Sequence, residues 1–228
     1  GTHRLIDIMS TYNKKDIIFS STAAVYGNPQ YLPVDENHQT NPINYYGFTK
    51  LMVENTLSWY KHLNGFNFIA LRYFNAAGYD KEKRILNLEN KPQNLIPIVM
   101  ECAAGIRQSM QIFGDDYNTP DGTCLRDYIH VTDLAKAHIK ALRRINDNNT
   151  LSINLGTGYT HSVYDVIRTV EKITSEKINY SVTNRREGDP AKLYSSSSVA
   201  KESLDWIAKN SDLENIIKTT WSIYKTRV

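Results

Sequence analysis

Residues 16–27 read Asp16-Ile17-Ile18-Phe19-Ser20-Ser21-Thr22-Ala23-Ala24-Val25-Tyr26-Gly27. The first five hold a short apolar run, Ile17-Ile18-Phe19, rich in β-branched residues, which suits a buried parallel strand. The next residues are small and hydroxyl-bearing, at the carboxyl end of that strand, where open α/β sheets bind ligands. Downstream, Asn44 to Leu63 turns to helical spacing, with Tyr46, Lys50, Val53, Leu57 and Tyr60 on one stripe and Asn64-Gly65 as the stop. Phe66 to Phe74 reads as a second buried strand. Upstream, Arg4 to Met9 reads as the middle of an amphipathic helix. The alternation continues to the other end. A loop is predicted over 75–94, helices near 95–104, 132–144 and 161–174, strands near 110–113, 127–131, 151–155 and 178–182, and two closing helices. Strands alternating with helices predict an α/β fold, a partial doubly wound parallel sheet with a smaller lobe at its edge.

Tyr46-Gly47-Phe48-Thr49-Lys50 opens the helix that follows the first strand. A tyrosine and a lysine four apart share a helix face. An ammonium beside a phenol favours the ionised phenol, which can then take or give a proton at a carbinol oxygen. The spacing alone is weak, since fifteen tyrosines are present and Tyr79 also precedes a lysine by four. The hydroxyl residues ending the first strand give it context. Thr22, Tyr46 and Lys50 together make the proton-handling set of a dehydrogenase site. A second strand ending in Arg72-Tyr73-Phe74-Asn75 brings further polar groups to the same edge.

The ordered series FSSTAAVYG, YYGFTK, LRYFNAAG, NLIP, IFGDDYNTPDGTCLRDYIHV, NLGTG and RREGDPA resembles the extended short-chain dehydrogenase/reductases. More narrowly, it is similar to the UDP-glucose 4-epimerase family. The resemblance implies a Rossmann-type module, NAD as cofactor and a UDP-sugar as substrate, interconverted between UDP-galactose and UDP-glucose through a 4-keto intermediate. It implies Tyr46 as acid/base, Lys50 on the nicotinamide ribose, and Thr22 on the sugar 4-oxygen. Ser20 and Phe74 would line the nicotinamide pocket. Asn75, Asn94 and Leu95 would meet the sugar and diphosphate, and Gln111 and Phe113 would border the uracil. Arg126 and Arg186 would hold the diphosphate through forked donors, and Asp189 the uridine ribose. Leu193 would stand at the gate beside the sugar's C2, where a side chain smaller than tyrosine admits N-acetylated sugars. Plainer readings compete: Arg126 with Asp127 and Arg186 with Glu187 as surface pairs, Asn75 and Asn94 as turn or cap residues, and Phe113 as core. Related 4,6-dehydratases place an acid pair after the hydroxyl residue; here Ala23-Ala24 follow Thr22, which leaves epimerisation.

The resemblance also divides the chain. Residues 1–78, with 131–157 packed on them, would be the remaining half of the NAD-binding module. Residues 79–130 and 158–228 would form the UDP-sugar lobe. A Gly-x-x-Gly-x-x-Gly turn, which would receive the cofactor pyrophosphate, is found at none of the eleven glycines. Gly156-Thr157-Gly158 has His161 where a third glycine belongs. About a hundred residues and at least three strands of the module are therefore expected to lie outside this chain. A non-catalytic fragment that only binds sugar nucleotides is the competing expectation.

Composition narrows the rest. Hydrophobic content of 41% and charged content of 22% over 228 residues are those of a globular protein. A net charge of +3, without clustering beyond Lys81 to Arg84, speaks against nucleic acid. Two cysteines, Cys102 and Cys124, imply no disulfide framework, and no apolar run approaches the roughly 20 residues of a membrane span. No metal-ligand constellation occurs: His130 and His138 are eight apart without acidic or thiol partners at ligand spacing. A cytoplasmic enzyme that pairs as a homodimer through the Tyr46 helix is expected from the resemblance.

Overall fold

The computed structural model describes residues 1–145 and 151–227. The segment 131–157 assigned from sequence to the sheet includes 146–150, which lie outside the described residues. In chain order the elements are α1 (Thr2–Thr11), β1 (Asp16–Thr22), α2 (Tyr45–Asn64), β2 (Asn67–Tyr73), β3 (Asn75–Ala77) and α3 (Leu95–Ala103). Then come β4 (Met110–Phe113), β5 (Leu125–Arg126), β6 (Tyr128–His130), α4 (Val131–Arg144), β7 (Leu151–Leu155), β8 (His161–Ser162) and α5 (Val163–Thr174). The chain closes with β9 (Tyr180–Thr183), β10 (Lys192–Leu193), α6 (Ser198–Leu204) and α7 (Leu213–Tyr224).

Three parallel strands in the order β1-β2-β7 form the central sheet. Asp16 pairs with Asn67 through to Thr22 with Tyr73, and Ile69 with Leu151 through to Tyr73 with Leu155. Alternation along β2 explains why its middle, Phe68 to Leu71, is apolar on both faces. Phe68 and Ala70 face Ile6 of α1 and Leu57 of α2. Ile69 and Leu71 face Leu134, Ala137 and Ala141 of α4 and Ala200 and Leu204 of α6, with Trp206 beside them. Each fully buried Ile or Leu on these faces contributes about 1.5–3 kcal/mol. The strand edges set the site, because all three strands end at the same level.

Helix α2 starts where Asn44 accepts a hydrogen bond from the Gly47 amide at 2.8 Å, and stops at Gly65, whose φ of 68° suits a residue without a β-carbon. A second core, built from α3, β4, β6, α5 and α7, gathers Ile96, Met100, Ile112, Val166, Ile217 and Tyr224. It joins the sheet through β3, which pairs with β6 directly after β2 ends. That short strand falls within the stretch read from sequence as loop. Three residues pairing across 53 positions leave no periodicity to read. The strand expected over 127–131 is likewise two, β5 and β6, on either side of Asp127. Helix α5 starts two residues later than its spacing suggested, because His161 and Ser162 pair antiparallel with Arg126 and Leu125. Ser162 and Asp165 then cap it reciprocally.

Candidate active site

Thr22 ends β1 and caps a short 3-10 turn over Ala23–Val25: its Oγ1 accepts from the Ala24 amide at 3.2 Å. The Thr22 hydroxyl proton is thereby left to point at a ligand. Tyr46, in the first turn of α2, is 56% exposed and borders the same cavity of about 500 Å³. Behind it the Lys50 ammonium donates to the Ser20 carbonyl at 2.9 Å, and lies 5.7 Å from the Tyr46 ring centre and 5.1 Å from that of Phe19. Neither Lys50 nor Ser20 lines the cavity; they sit together at its sheet side.

Ser20 Oγ also lies 3.3 Å from His138 Nε2, and the Tyr73 hydroxyl 3.0 Å from the same nitrogen. His138 Nδ1 is 2.8 Å from the Leu134 carbonyl, so Nδ1 is the donor and Nε2 accepts from the hydroxyls. Burial pushes the Tyr73 phenol above its ordinary value, outweighing the hydrogen bond with Ser20 that lowers it, with the nearby Tyr46 charge adding to the rise. Tyr73 therefore stays neutral and donates. The motif around it pointed to Phe74 instead. Strand alternation was the signal available, since Tyr73 and Asn75 fall on one face of an extended chain.

Beyond Tyr46 the cavity runs past Phe74, Asn75, Asn94, Leu95, Arg126, Asp189 and Leu193, and also past Tyr128. It continues into a second hollow of about 590 Å³ that shares Asn75, Asn94, Leu95, Arg126 and Asp189 and adds Gln111, Phe113 and Arg186. Such dimensions suit a ligand with several parts. Twelve of the fourteen residues singled out from sequence thus line one continuous groove. Asn94 stands as the cap residue of α3, but no side-chain bond caps that helix, and the residue is exposed toward the groove. Leu193 faces the groove from β10, which pairs with Arg126 on β5, whereas Tyr194 lines neither hollow.

The two arginines do not make the surface pairs that the plainer reading offered. Arg126 is 8% exposed and pairs with Asp189 at 2.7 Å. Asp127 is instead fully buried and accepts from the Thr157 and Gly158 amides and from Ser195. Strand alternation turns the neighbours Arg126 and Asp127 to opposite sides. Arg186 stacks on Phe113, 4.4 Å from guanidinium carbon to ring centre. Phe113 is 37% exposed, a stacking surface at the groove's mouth and not a core residue. Among the described residues lining the first hollow, Asp189 is the one carboxylate, and it is already paired. His130 supports structure: its Nδ1 accepts from the Thr132 amide at 3.0 Å, and its Nε2 is 3.0 Å from Thr219 Oγ1. Among the described residues no cluster of His, Cys, Asp and Glu could hold a metal ion, and no helix is long and apolar enough to cross a membrane.

A hydroxyl, a phenol and an ammonium at the carboxyl end of a parallel sheet define a Rossmann-type enzyme of the short-chain dehydrogenase/reductase class. Residues 1–156 match the model of the NAD dependent epimerase/dehydratase family. A UDP-glucose 4-epimerase of Halalkalibacterium halodurans is 44% identical over 99% of this chain and 68% of its own length. The crystal structure of the Brucella ovis UDP-glucose 4-epimerase in complex with NAD superposes with a TM-score of 0.94 at 40% identity, covering 98% of this chain and 69% of that one. A UDP-Glc/GlcNAc 4-epimerase of Campylobacter jejuni gives 0.82 at 40% identity, covering 99% and 69%. The chain belongs to the NAD dependent epimerase/dehydratase family, in its UDP-glucose 4-epimerase branch, and spans about two-thirds of the length of these relatives.

Proposed function

We propose that this chain carries the proton-handling and UDP-sugar-binding part of a NAD-dependent enzyme that interconverts UDP-galactose and UDP-glucose. The observation that carries this is the single groove joining Thr22 and Tyr46 at one end to Arg126, Phe113 and Arg186 at the other. A sugar at the first end and a nucleotide at the second would be linked by a diphosphate lying on Arg126 and Arg186. Phe113 and Gln111 would border the base, Asp189 the uridine ribose, and Asn75, Asn94 and Leu95 the span between.

Tyr46 takes the 4-hydroxyl proton through its phenol oxygen, and Thr22 hydrogen-bonds the same sugar oxygen. NAD, when bound, supplies the acceptor and then the donor of hydride at C4. Lys50, Ser20 and Phe74 would hold its nicotinamide end. Tyr46 returns the proton once C4 is re-formed with the opposite configuration. Ala23 and Ala24 border the cavity next to Thr22 and have no proton to give or take, which supports epimerisation over loss of water. The proposal extends to a cytoplasmic location, for which two cysteines and no disulfide framework fit a reducing compartment, and to a homodimer, supported by exposed Phe48, Met52 and Trp59 on α2.

The direct assay uses a form of this chain extended to the length of its relatives, supplied with UDP-galactose and followed for UDP-glucose. Conversion without net NADH is expected. Accumulation of a 4-keto-6-deoxy sugar would assign a dehydratase instead. A second activity, on UDP-N-acetylglucosamine, is favoured by Leu193 facing the sugar end of the groove. The Campylobacter jejuni relative carries both sugars in its name. Turnover of the acetylated sugar within about 100-fold of the plain one is expected; none detectable would remove this activity.

A further inference from the structure

Tyr46, Lys50 and Glu54 follow one another at four-residue steps and so form one stripe of α2. The stripe continues the catalytic pair inward. Glu54 is 5% exposed and lines neither hollow of the groove. Its carboxylate reaches every strand of the central sheet. Oε1 accepts from Ser21 Oγ on β1 and from Arg72 Nε on β2 at 3.1 Å. Oε2 accepts from Arg72 Nη2 at 2.5 Å and from Ser152 Oγ on β7 at 3.4 Å. Ser21 precedes Thr22, and Ser21 and Arg72 are register partners.

Arg72 carries the network further. Its Nη1 donates to the Tyr26 hydroxyl at 2.9 Å, and that hydroxyl donates to Asn154 Oδ1 on β7 at 2.7 Å. Burial alone would pull the Arg72 guanidinium down, but its bonds to Glu54 and the Tyr26 oxygen raise it above its ordinary value, so the guanidinium stays charged. A buried ion pair is a poor device for stability, because desolvation offsets the attraction. It is a good device for fixing geometry, since the pair and its three side-chain partners, Ser21, Ser152 and Tyr26, tolerate one arrangement.

We infer that Glu54 is a positioning residue: through Ser21, Arg72 and Ser152 it sets the distance and tilt of the Tyr46–Lys50 stripe relative to Thr22. This rests on the reading of Tyr46 as the acid/base. The catalytic tyrosine and the threonine sit on different elements, and beside the Lys50 bond to the Ser20 carbonyl, Glu54–Ser21 joins those elements side chain to side chain, next to Thr22 itself.

The test is the double variant Glu54→Leu/Arg72→Met in the extended enzyme, which removes both charges together and keeps bulk in the core. The expected result is a thermal midpoint close to the parent's and a Kd for UDP by calorimetry within about threefold. Turnover of UDP-galactose should fall on the order of 100-fold, because misplacement by an ångström costs that much. Should the double variant fail to fold, Ser21→Ala cuts the one bond between Glu54 and the residue before Thr22. It should lower kcat about tenfold at unchanged KM. Tyr46→Phe is measured alongside. A folded network variant with parental kcat, beside an inactive Tyr46→Phe, overturns the positioning role alone. A fully active Tyr46→Phe overturns the acid/base reading and the positioning role with it.

Discussion

A β-carbon added at Gly47 would lie 2.4 Å from the Ala24 carbonyl oxygen and 2.9 Å from its carbon, so the first turn of α2 rests directly against the turn that follows Thr22. Both contacts are backbone, which cannot swing away. Gly47→Ala should therefore push Tyr46 from Thr22, with turnover falling at least tenfold and stability by about 1–3 kcal/mol. Turnover and urea midpoints of the extended enzyme would measure both; parental values for the two would show that the contact yields. Leu193 makes a second test at this scale. Leu193→Tyr fills the sugar end of the groove, so turnover of UDP-N-acetylglucosamine should drop about tenfold or more while UDP-galactose stays within about threefold. An equal loss on both sugars would remove Leu193 as the gate. Tyr46 and Lys50 were legible from spacing together with the hydroxyls of β1. Gly47 and Glu54 were not. Their roles come from contacts across 18 to 98 positions, and a lone glutamate near a helix stripe reads as solvated until its arginine is seen.

At the scale of elements, α4 is held at its start by a neutral histidine. His130 accepts from the Thr132 amide and meets Thr219 of α7, an arrangement that an imidazolium cannot keep because it has no acceptor nitrogen. Burial pulls His130 below its ordinary value of 6.5, with the Asp133 charge partly opposing, and burial does the same to His161 at the start of α5. The unfolded chain takes up a proton near 6.5, and the folded chain only at lower pH. Stability is then full above that pH and declines as the pH falls through it toward the folded value. Urea midpoints at successive pH values should show the decline, and His130→Asn should flatten it. An unchanged slope would mean that other groups control the acid limb. The long helices and the β1, β2 and β7 strands were legible because each buries a periodic face. The two- and three-residue strands β3, β5, β8 and β10 were not, since pairing and capping partners define them, and these are the pieces that place Arg126 and Leu193.

At the scale of the molecule, β1 pairs with β2 on one side and, among the described residues, with no strand on the other. Such an edge is a ready template for further pairing. The 228 residues contain no Gly-x-x-Gly-x-x-Gly turn, and on the proposed reading Lys50, Ser20 and Phe74 would meet the nicotinamide end only. Taken as they stand, they should bind UDP through Arg126, Arg186 and Asp189 yet fail to retain NAD. Separate calorimetric titrations of the two ligands would show this, and micromolar NAD binding would contradict it. The central assignment is that the Tyr46 phenol moves the proton at the sugar's 4-oxygen. Its most direct test is Tyr46→Phe in the extended enzyme, with UDP-galactose conversion and UDP-sugar affinity measured together. A fall in turnover of about 10²–10⁴ with affinity nearly unchanged is predicted; a fall of less than about tenfold would show that another group carries the proton.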